Sequence, residues 1–524
     1  MMKRKIVLLT FSLIFVLSTF AQSPRQTTDI RTITVDLNQP VTPLNTMYNF
    51  CVGAGRAHEG LYANWQEQLR IAKQACGFRY IRFHGLLHDD MGVYKWIDGK
   101  PQYNFQYIDA LYDFLLSINV RPFVELSFMP DALKSNDKTV FWWKGNISQP
   151  SDTLQYKNLI KALVQHFTER YGQEEVKKWY FEVWNEPNLL GFFDGTQQDY
   201  FNLYQWTSET IKSVCPDYRV GGPATAGNAW ITDFLQYTNK HHLPVDFVST
   251  HTYGVQGFLD EFGKDKLHLI ENPDCMAEDV QHTRQAMIKE GKSTMELHYT
   301  EFNSSYSPRD PFHDTYQNAT YILNTLKKSG KATTSMSYWT FTDIFEEAGT
   351  VDQPFHGGFG LINWQGILKP TFYAYSFLNK LYPNQLATAD QSSWVTKDDK
   401  GNIAALIYDF TMPNQGKKSD QAFYIQLQPA QEKGKISFAI NHINNGKYEL
   451  QITSIGYKQH DALSAYIDMG SPSQLSLQQE QTLKQQSIAK PEKSVVNVTK
   501  QNYSLQLDWK SNQMYLVKLI RLTK

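Results

Sequence analysis

The sequence predicts an α/β fold, a (β/α)8 TIM barrel followed by an accessory antiparallel β-sandwich. Eight short runs rich in aromatic and β-branched residues recur between about residues 46 and 383: "TMYNFCVGAG", "YIRFHG", "RPFVELSFMP", "KWYFEVWNEP", "YRVGGPAT", "VDFVSTHTY", "MELHYTEFNSS" and "TSMSYWTFTDI". Segments with helical spacing separate them, and eight strand-then-helix units suit a closed barrel better than an open sheet. After about residue 384 the texture changes to alternating apolar and polar residues with turn residues between, as in an antiparallel sandwich.

In chain order, "MMKRKIVLLTFSLIFVLSTFAQS" has a basic start, an apolar run and then Thr19-Phe20-Ala21. Residues 1–21 therefore read as a secretory signal peptide cleaved after Ala21. An uncleaved membrane anchor is the alternative, but the apolar run is short for a span. The mature protein is expected to be exported, periplasmic or secreted, and free of the membrane after cleavage. Residues 22–45 contain "IRTITVDLN", a strand segment that could join the sandwich. Residues 46–383 form the expected barrel, with the helical period in "YANWQEQLRIAKQACG", "YNFQYIDALYDFLLSIN" and "DTLQYKNLIKALVQHFTERYG". Gly77 and Gly172 close two of these helices as C-terminal stops. A doubly wound open sheet is the competing topology, but no G-x-G-x-x-G follows any strand to support it. Residues 384–524 form the expected sandwich, with "NIAALIYDF", "QAFYIQLQP", "KISFAINHI", "KYELQITSIGY", "YSLQLDWK" and "QMYLVKLIRL" as strands.

Composition narrows the function classes. The chain has 524 residues, too many for one ordinary domain, and at 41% hydrophobic it can bury a large core. Lys+Arg 51 against Asp+Glu 52 leaves no basic surplus for a nucleic-acid partner. The heavy load of Tyr, Phe and Trp is mostly core, though flat aromatic faces also suit sugar rings. Cys51, Cys76, Cys215 and Cys275 lie far apart with no C-x-x-C, which argues against a structural zinc site. One pair could be bridged; buried small side chains is the simpler reading.

In such a barrel, functional groups gather where strands end, because the βα loops converge on that face. Strand two ends in Arg82 and His84, strand four in Asn185 and Glu186, strand six in His251 and Tyr253, and strand seven in Glu301 and Asn303. Strand eight carries Trp339, with Glu346-Glu347 in the loop after it. The tips of strands four and seven face each other over the barrel mouth, which pairs Glu186 with Glu301. Two carboxylates across a cleft are what acid-assisted cleavage of a glycosidic bond requires, about 5 Å apart for retention and wider for inversion. Each residue alone has a blander reading: an ion-paired strand-end Glu, a core histidine, a packing Trp, a solvated loop. Glu182, two residues before the chain reaches Trp184, reads as a buried partner for something like Arg82. The coincidence of so many polar strand ends on one face is what lifts the set. H-E-x-x-H, Walker, EF-hand and G-x-S-x-G motifs are absent. His241-His242 read as surface, and the five N-x-[ST] matches are weak, one of them starting at Asn303 inside the candidate site.

"WYFEVWNEPNL" and "YTEFNSSYSPRDPFHDTYQNATYIL" strongly resemble glycoside hydrolase family 39, the family of β-D-xylosidases and α-L-iduronidases. "YIRFHGLLHDDMGVY", "VELSFMP", "RVGGPATAG", "DFVSTHTYG" and "SYWTFTDIFEE" look like further family blocks in family order, so the likeness spans nearly the whole mature chain. The resemblance implies the same barrel-plus-sandwich fold. It also implies that Glu186 is the acid/base, Glu301 the nucleophile, and Asn185 the partner of the sugar 2-hydroxyl. His251 and Tyr253 would line the catalytic subsite, with Tyr253 orienting the nucleophile, and His84, Phe128 and Trp339 would occupy other subsite positions. Glu346 and Glu347 match the acidic pair that holds xylose hydroxyls in the xylosidases, and Arg82 would support the carboxylates. Phe302 departs from the family's usual Trp, losing an indole N–H, so subsite shape or leaving-group preference could differ. No metal or other cofactor is implied.

Two adjacent glutamates would repel a substrate carboxylate, whereas neutral hydroxyls can donate to them. The expected activity is therefore a retaining β-xylosidase acting from the non-reducing end of xylo-oligosaccharides or xylosides. A different glycone, arabinoside or uronide, is the nearest alternative. A carbohydrate-binding barrel without catalysis is the alternative of another class.

Overall fold

A computed structural model describes residues 29–522; the expected signal peptide lies outside them. Eight parallel strands close into a barrel in sequential order: β1 (Cys51–Arg56), β2 (Tyr80–His84), β3 (Arg121–Leu126), β4 (Tyr180–Val183), β5 (Arg219–Thr225), β6 (Phe247–Tyr253), β7 (Glu296–Asn303) and β8 (Ser335–Tyr338). A helix of ten residues or more follows each strand, from Ala63–Cys76 after β1 to Pro370–Asn379 after β8. Gly77 ends the first of these at φ 77°, a left-handed position that relieves the last carbonyls without a Cβ clash.

Side chains alternate across each strand, so the barrel interior is layered. At the floor, Tyr80, Phe123, Tyr180 and Phe247 pack with Cys51 into a compact aromatic cluster, in which Phe123 and Tyr180 stack at 4.9 Å. Two residues further along, the same inward rows carry Arg82, Glu125 and Glu182, all buried. The next step reaches the mouth. An apolar floor beneath a charged middle layer means that every middle-layer charge must find its partner inside the barrel.

The accessory domain is a sandwich of a seven-stranded and a three-stranded sheet. The seven-stranded sheet runs in the order 42–43, 384–386, 393–397, 403–408, 514–521, 446–455, 492–498. Its alternation serves two cores. Trp394, Leu406, Tyr408, Met514 and Leu516 face the barrel helices, while Val395, Ala405, Ile407, Val517 and Leu519 face the other sheet. The strand Asp29–Asp36 supplies Ile33 and Val35 to that second core and pairs with Glu432–Asn441. This pair is parallel, in a domain whose other described ladders are antiparallel.

Two readings of this domain need correction. "QAFYIQLQP" is not a strand: Asp420–Phe423 is a helical turn capped by Ser419, followed by loop. Helices Ala462–Asp468 and Leu477–Ser487 are inserted between sandwich strands, where no helix was expected. The second is Gln-rich and buries only Leu483 and Ser487, so its apolar period is too weak to see. Its one legible signal is the capping box of Ser476 and Gln479. The four thiols are all free, Cys275 half-buried and the others buried. Among the described residues, no helix is long and apolar enough to cross a membrane.

Candidate active site

The backbone delivers the two glutamates by different devices. β4 stops at Val183, and Trp184 and Glu186 then adopt positive φ, 69° and 47°, which are costly for non-glycine residues. The Glu186 N–H is tied to Ala224 O after the middle of β5 at 2.8 Å, and its carbonyl accepts from Leu189 N–H at 3.0 Å. Pro187 occupies the second position of that turn, where its fixed φ is already correct. The proline after Glu186 thus locks a kink that turns the carboxyl toward the barrel axis. On β7 the register with β6 slips between the pairs Thr250–Tyr299 and His251–Glu301, leaving Thr300 as the extra residue. Such a bulge re-aims side chains, and here consecutive residues Thr300 and Glu301 both reach partners inside the barrel.

Arg82 organises the middle layer. Its guanidinium meets Glu182 at 2.6 Å, Glu125 at 2.8 Å, Glu301 at 2.6 Å and the Asn185 amide oxygen at 2.9 Å. The side chain is fully buried; although burial opposes its charge, the three carboxylates more than offset that and hold it above the ordinary arginine value. The planar fork suits this task, since five N–H donors in one plane can serve several acceptors at once. Glu301 keeps one oxygen on Arg82 and takes the Tyr253 hydroxyl on the other at 2.7 Å.

Glu186 lives in a different environment. Burial pushes its carboxyl up to about 7, although the His84 and Arg82 charges pull the other way. Its Oε1 lies 2.8 Å from His251 Nδ1. Hydrogen-bond counting fixes which of them donates. Thr300 has one hydroxyl proton and gives it to Glu182 Oε1 at 2.8 Å. The His251 Nε2, 3.2 Å from that same hydroxyl oxygen, must therefore carry the N–H. Burial lowers His251 to about 4, so the ring is neutral and Nδ1 is an acceptor. The proton between Nδ1 and Glu186 belongs to Glu186. One carboxylate of the central network, relayed through a hydroxyl and a ring, thus selects the acid form of another.

A cavity of about 630 Å³ opens over these groups. His84, Asn185, Glu186, Tyr253, Glu301, Trp339 and Glu347 line it. Arg82 and His251 are buried directly behind the two glutamates. His84 is pinned to Glu125 at 2.7 Å; burial alone would lower it, but the Glu125 and Glu347 carboxylates hold it up to about 10, so it is charged. Glu347 is raised to about 7 by burial. Its Oε1 sits 3.3 Å from His84 Nε2 without hydrogen-bond geometry, leaving it open to a substrate hydroxyl.

Three expected positions lie elsewhere. Phe128 is fully buried beneath the cavity wall, against Trp184 at 5.5 Å and Trp143 at 5.7 Å. Phe302 points out of the barrel and packs against Tyr338, so the missing indole N–H does not face the cavity. Glu346 is held by the Arg56 guanidinium and by the Tyr62 hydroxyl, at the edge of the site rather than inside it. Glu125, Thr300, Phe141, Leu189, Phe192, Tyr306 and Phe359 were not anticipated. Glu125 was findable, being one period-2 step beyond inward-facing Phe123. Thr300 was not, because simple alternation turns it away from Glu301's side and only the bulge brings both inward.

The likeness to known proteins matches this geometry. The family model for Glycosyl hydrolases family 39 matches residues 31–505. A Beta-xylosidase of Geobacillus stearothermophilus is 46% identical over 375 residues, 70% of this chain and 74% of that one. A Beta-xylosidase of Caldicellulosiruptor saccharolyticus is 37% identical over 473 residues, 88% and 93% of the two chains. The crystal structure of the GH39 enzyme from Xanthomonas axonopodis pv. citri superposes with a TM-score of 0.92 at 42% identity, covering 95% of this chain and all of that one. The chain belongs to glycosyl hydrolase family 39, and is a glycoside hydrolase.

Proposed function

We propose that this enzyme is a retaining β-D-xylosidase that removes xylosyl residues from the non-reducing end of xylo-oligosaccharides or xylosides, with Glu186 as acid/base and Glu301 as nucleophile. One observation carries the mechanism: an oxygen of Glu186 and an oxygen of Glu301 lie within 4.8 Å of each other, and of a His251 ring nitrogen, in opposed electrostatic settings. Retaining pairs stand about 5–5.5 Å apart, too close for a water to attack between carboxylate and sugar. Glu186 holds a proton near neutral pH. A half-turn of its carboxyl about Cγ–Cδ exchanges His251 Nδ1 for the glycosidic oxygen, which takes the proton as its bond to the anomeric carbon breaks. Glu301, oriented by Arg82 and Tyr253, forms the new bond to that carbon. Once Glu301 is a neutral ester it no longer repels a negative charge on Glu186, which can then take a proton from the incoming water. Attack of that water at the anomeric carbon releases Glu301 and the sugar.

Xylose is supported by the names of the two relatives and by the cavity, where Glu301 would oppose a uronate carboxylate and Glu347, raised to about 7, can exchange hydrogen bonds with neutral hydroxyls. Proton NMR of the hydrolysis of an aryl β-D-xylopyranoside tests both parts. β-Xylose should appear first and mutarotate later; α-xylose first would overturn retention, and no turnover with any xyloside would overturn the sugar. Export rests on the N-terminal pattern alone. N-terminal sequencing of the protein from its native host should begin at Gln22, and an unprocessed Met1 in the membrane fraction would overturn cleavage.

A further inference from the structure

Glu347 lines the cavity, yet no strand or helix holds it. β8 ends at Tyr338, and the next helix begins at Pro370. Glu347 stands at the first corner of a β-turn, which the Gly349 N–H closes on the Glu346 carbonyl at 3.1 Å. A side chain on such a turn reaches a fixed place only where the turn itself is anchored. From the loop after β3, the Trp142 N–H donates to the Glu347 carbonyl at 2.8 Å. That bond fixes a point and not an orientation.

The second point comes from the segment after β1. Ala57–Leu61 is a short 3-10 helix, and Glu59 within it is fully buried. Its Oε1 accepts the Glu346 N–H at 2.9 Å, and its Oε2 accepts the Arg56 N–H at 3.2 Å. Gly55 leaves the room for this, since a Cβ there would lie 2.4 Å from that Oε2. The Arg56 guanidinium is close, with Nε 3.9 Å from Glu59, but it gives its terminal N–H groups to Glu346 and Asp90. The Glu59 carboxyl therefore spends its hydrogen bonds on two main-chain N–H groups. Glu346 is held twice from β1, at its N–H by Glu59 and at its carboxylate by Arg56. Glu59 does not line the cavity; what it controls is where the next side chain along, Glu347, stands.

We propose that Glu59, with Arg56, is a positioning residue for sugar binding, setting the place of the Glu347 carboxyl through its hold on Glu346. The proposal rests on the reading that Glu347 meets a hydroxyl of the bound sugar. A double-substitution cycle on kcat/KM separates it from a packing role. Glu59→Gln keeps the shape but sets an amide N–H against one of the two main-chain N–H groups. It should lower kcat/KM for an aryl β-D-xylopyranoside about tenfold, as for one lost hydrogen bond. In a Glu347→Ala background the same substitution should cost less than about twofold, because the carboxyl it places is gone. Free xylose as a competitive inhibitor should follow the same pattern in Ki, with no chemical step involved. Should Glu59→Gln fail to fold, Arg56→Lys enters the same cycle, since lysine keeps the cation and loses the fork that spans Glu346 and Asp90. Equal losses in both backgrounds, or no loss in either, would overturn the proposal. Glu347→Ala without any effect would remove the hydroxyl contact, and the positioning role with it; an effect of Glu347→Ala with an additive cycle removes the positioning alone. Should no xyloside be cleaved, the xylose reading falls by itself, and the cycle on the aryl glycoside the enzyme does accept decides the role of Glu59 in the same way.

Discussion

Around Glu186, burial and the acceptor nitrogen of His251 act in the same direction, and both favour the protonated carboxyl. Replacing it, Glu186→Gln, should lower kcat/KM for alkyl xylosides by about 10²–10⁴-fold, and by much less for an aryl xyloside whose leaving group needs no proton. Because the carboxyl is raised to about 7, the active fraction is full at lower pH and is lost as pH rises through that value. The basic limb of the pH profile of kcat/KM should therefore lie near 7. Glu347 titrates in the same range, so the limb should persist in Glu347→Gln if Glu186 governs it. Thr300→Val removes the acceptor for His251 Nε2–H and frees the ring to present Nδ1–H to Glu186 instead. That favours the carboxylate, so the basic limb should move to lower pH and turnover at pH 7.5 should fall several-fold. A variant that loses activity evenly at all pH values would mean that Thr300 serves packing alone. The network was half legible in the sequence: Arg82, Glu182, His251 and the two glutamates announce themselves as polar strand ends. The proton order was not, because it depends on a one-residue bulge that no residue type signals.

Among the elements, the eight barrel strands and their helices were readable because their patterns are long, repeated and punctuated. The sandwich was read less completely, since short strands with weak alternation, such as Glu492–Val498, look like loop. The loop after β8 is held by an element of chemistry rather than of secondary structure. Lys369, at the start of the last barrel helix, is fully buried and meets Asp314 at 2.6 Å and Asp343 at 2.7 Å. It joins the segment after β7 to the segment after β8, the two that carry Tyr306 and Glu347. Lys369→Met should leave two buried carboxylates without their cation and cost about 3–5 kcal/mol, read as a lower urea midpoint. An unchanged midpoint would mean that water already reaches the pair. No pattern in the sequence pointed to it, because its three members come from distant segments, and Asp343, near the end of the eighth run, carries no sign of its partners.

For the whole molecule, the sandwich is packed on the barrel through one face of its larger sheet, and the chain segment before the barrel closes the smaller sheet. Removing residues through Asp36 would uncover Phe438 and Ile440 and strip Ile33 and Val35 from the core. Two aliphatic side chains at about 1.5–3 kcal/mol each, with a newly exposed strand edge, should lower the thermal midpoint and promote aggregation, measurable by calorimetry with light scattering. A truncated protein as stable and as monodisperse as the full chain would refute that role. The fold class was legible at this scale because the barrel and the sandwich differ in period, 3.6 against 2, over hundreds of residues. The parallel pairing of the first strand was not, since alternation fixes which face a strand buries and leaves its direction open.

The central claim is that Glu301 forms a covalent bond to the sugar while Glu186 supplies and recovers the proton. Incubation with 2-deoxy-2-fluoro-β-D-xylopyranosyl fluoride, whose activated leaving group needs no acid and whose intermediate turns over slowly, tests it directly. Mass spectrometry of the digested protein should find one fluoroxylosyl group, on the peptide containing "YTEFN", attached at Glu301. A label on any other residue, or full inactivation without a covalent adduct, would contradict the account.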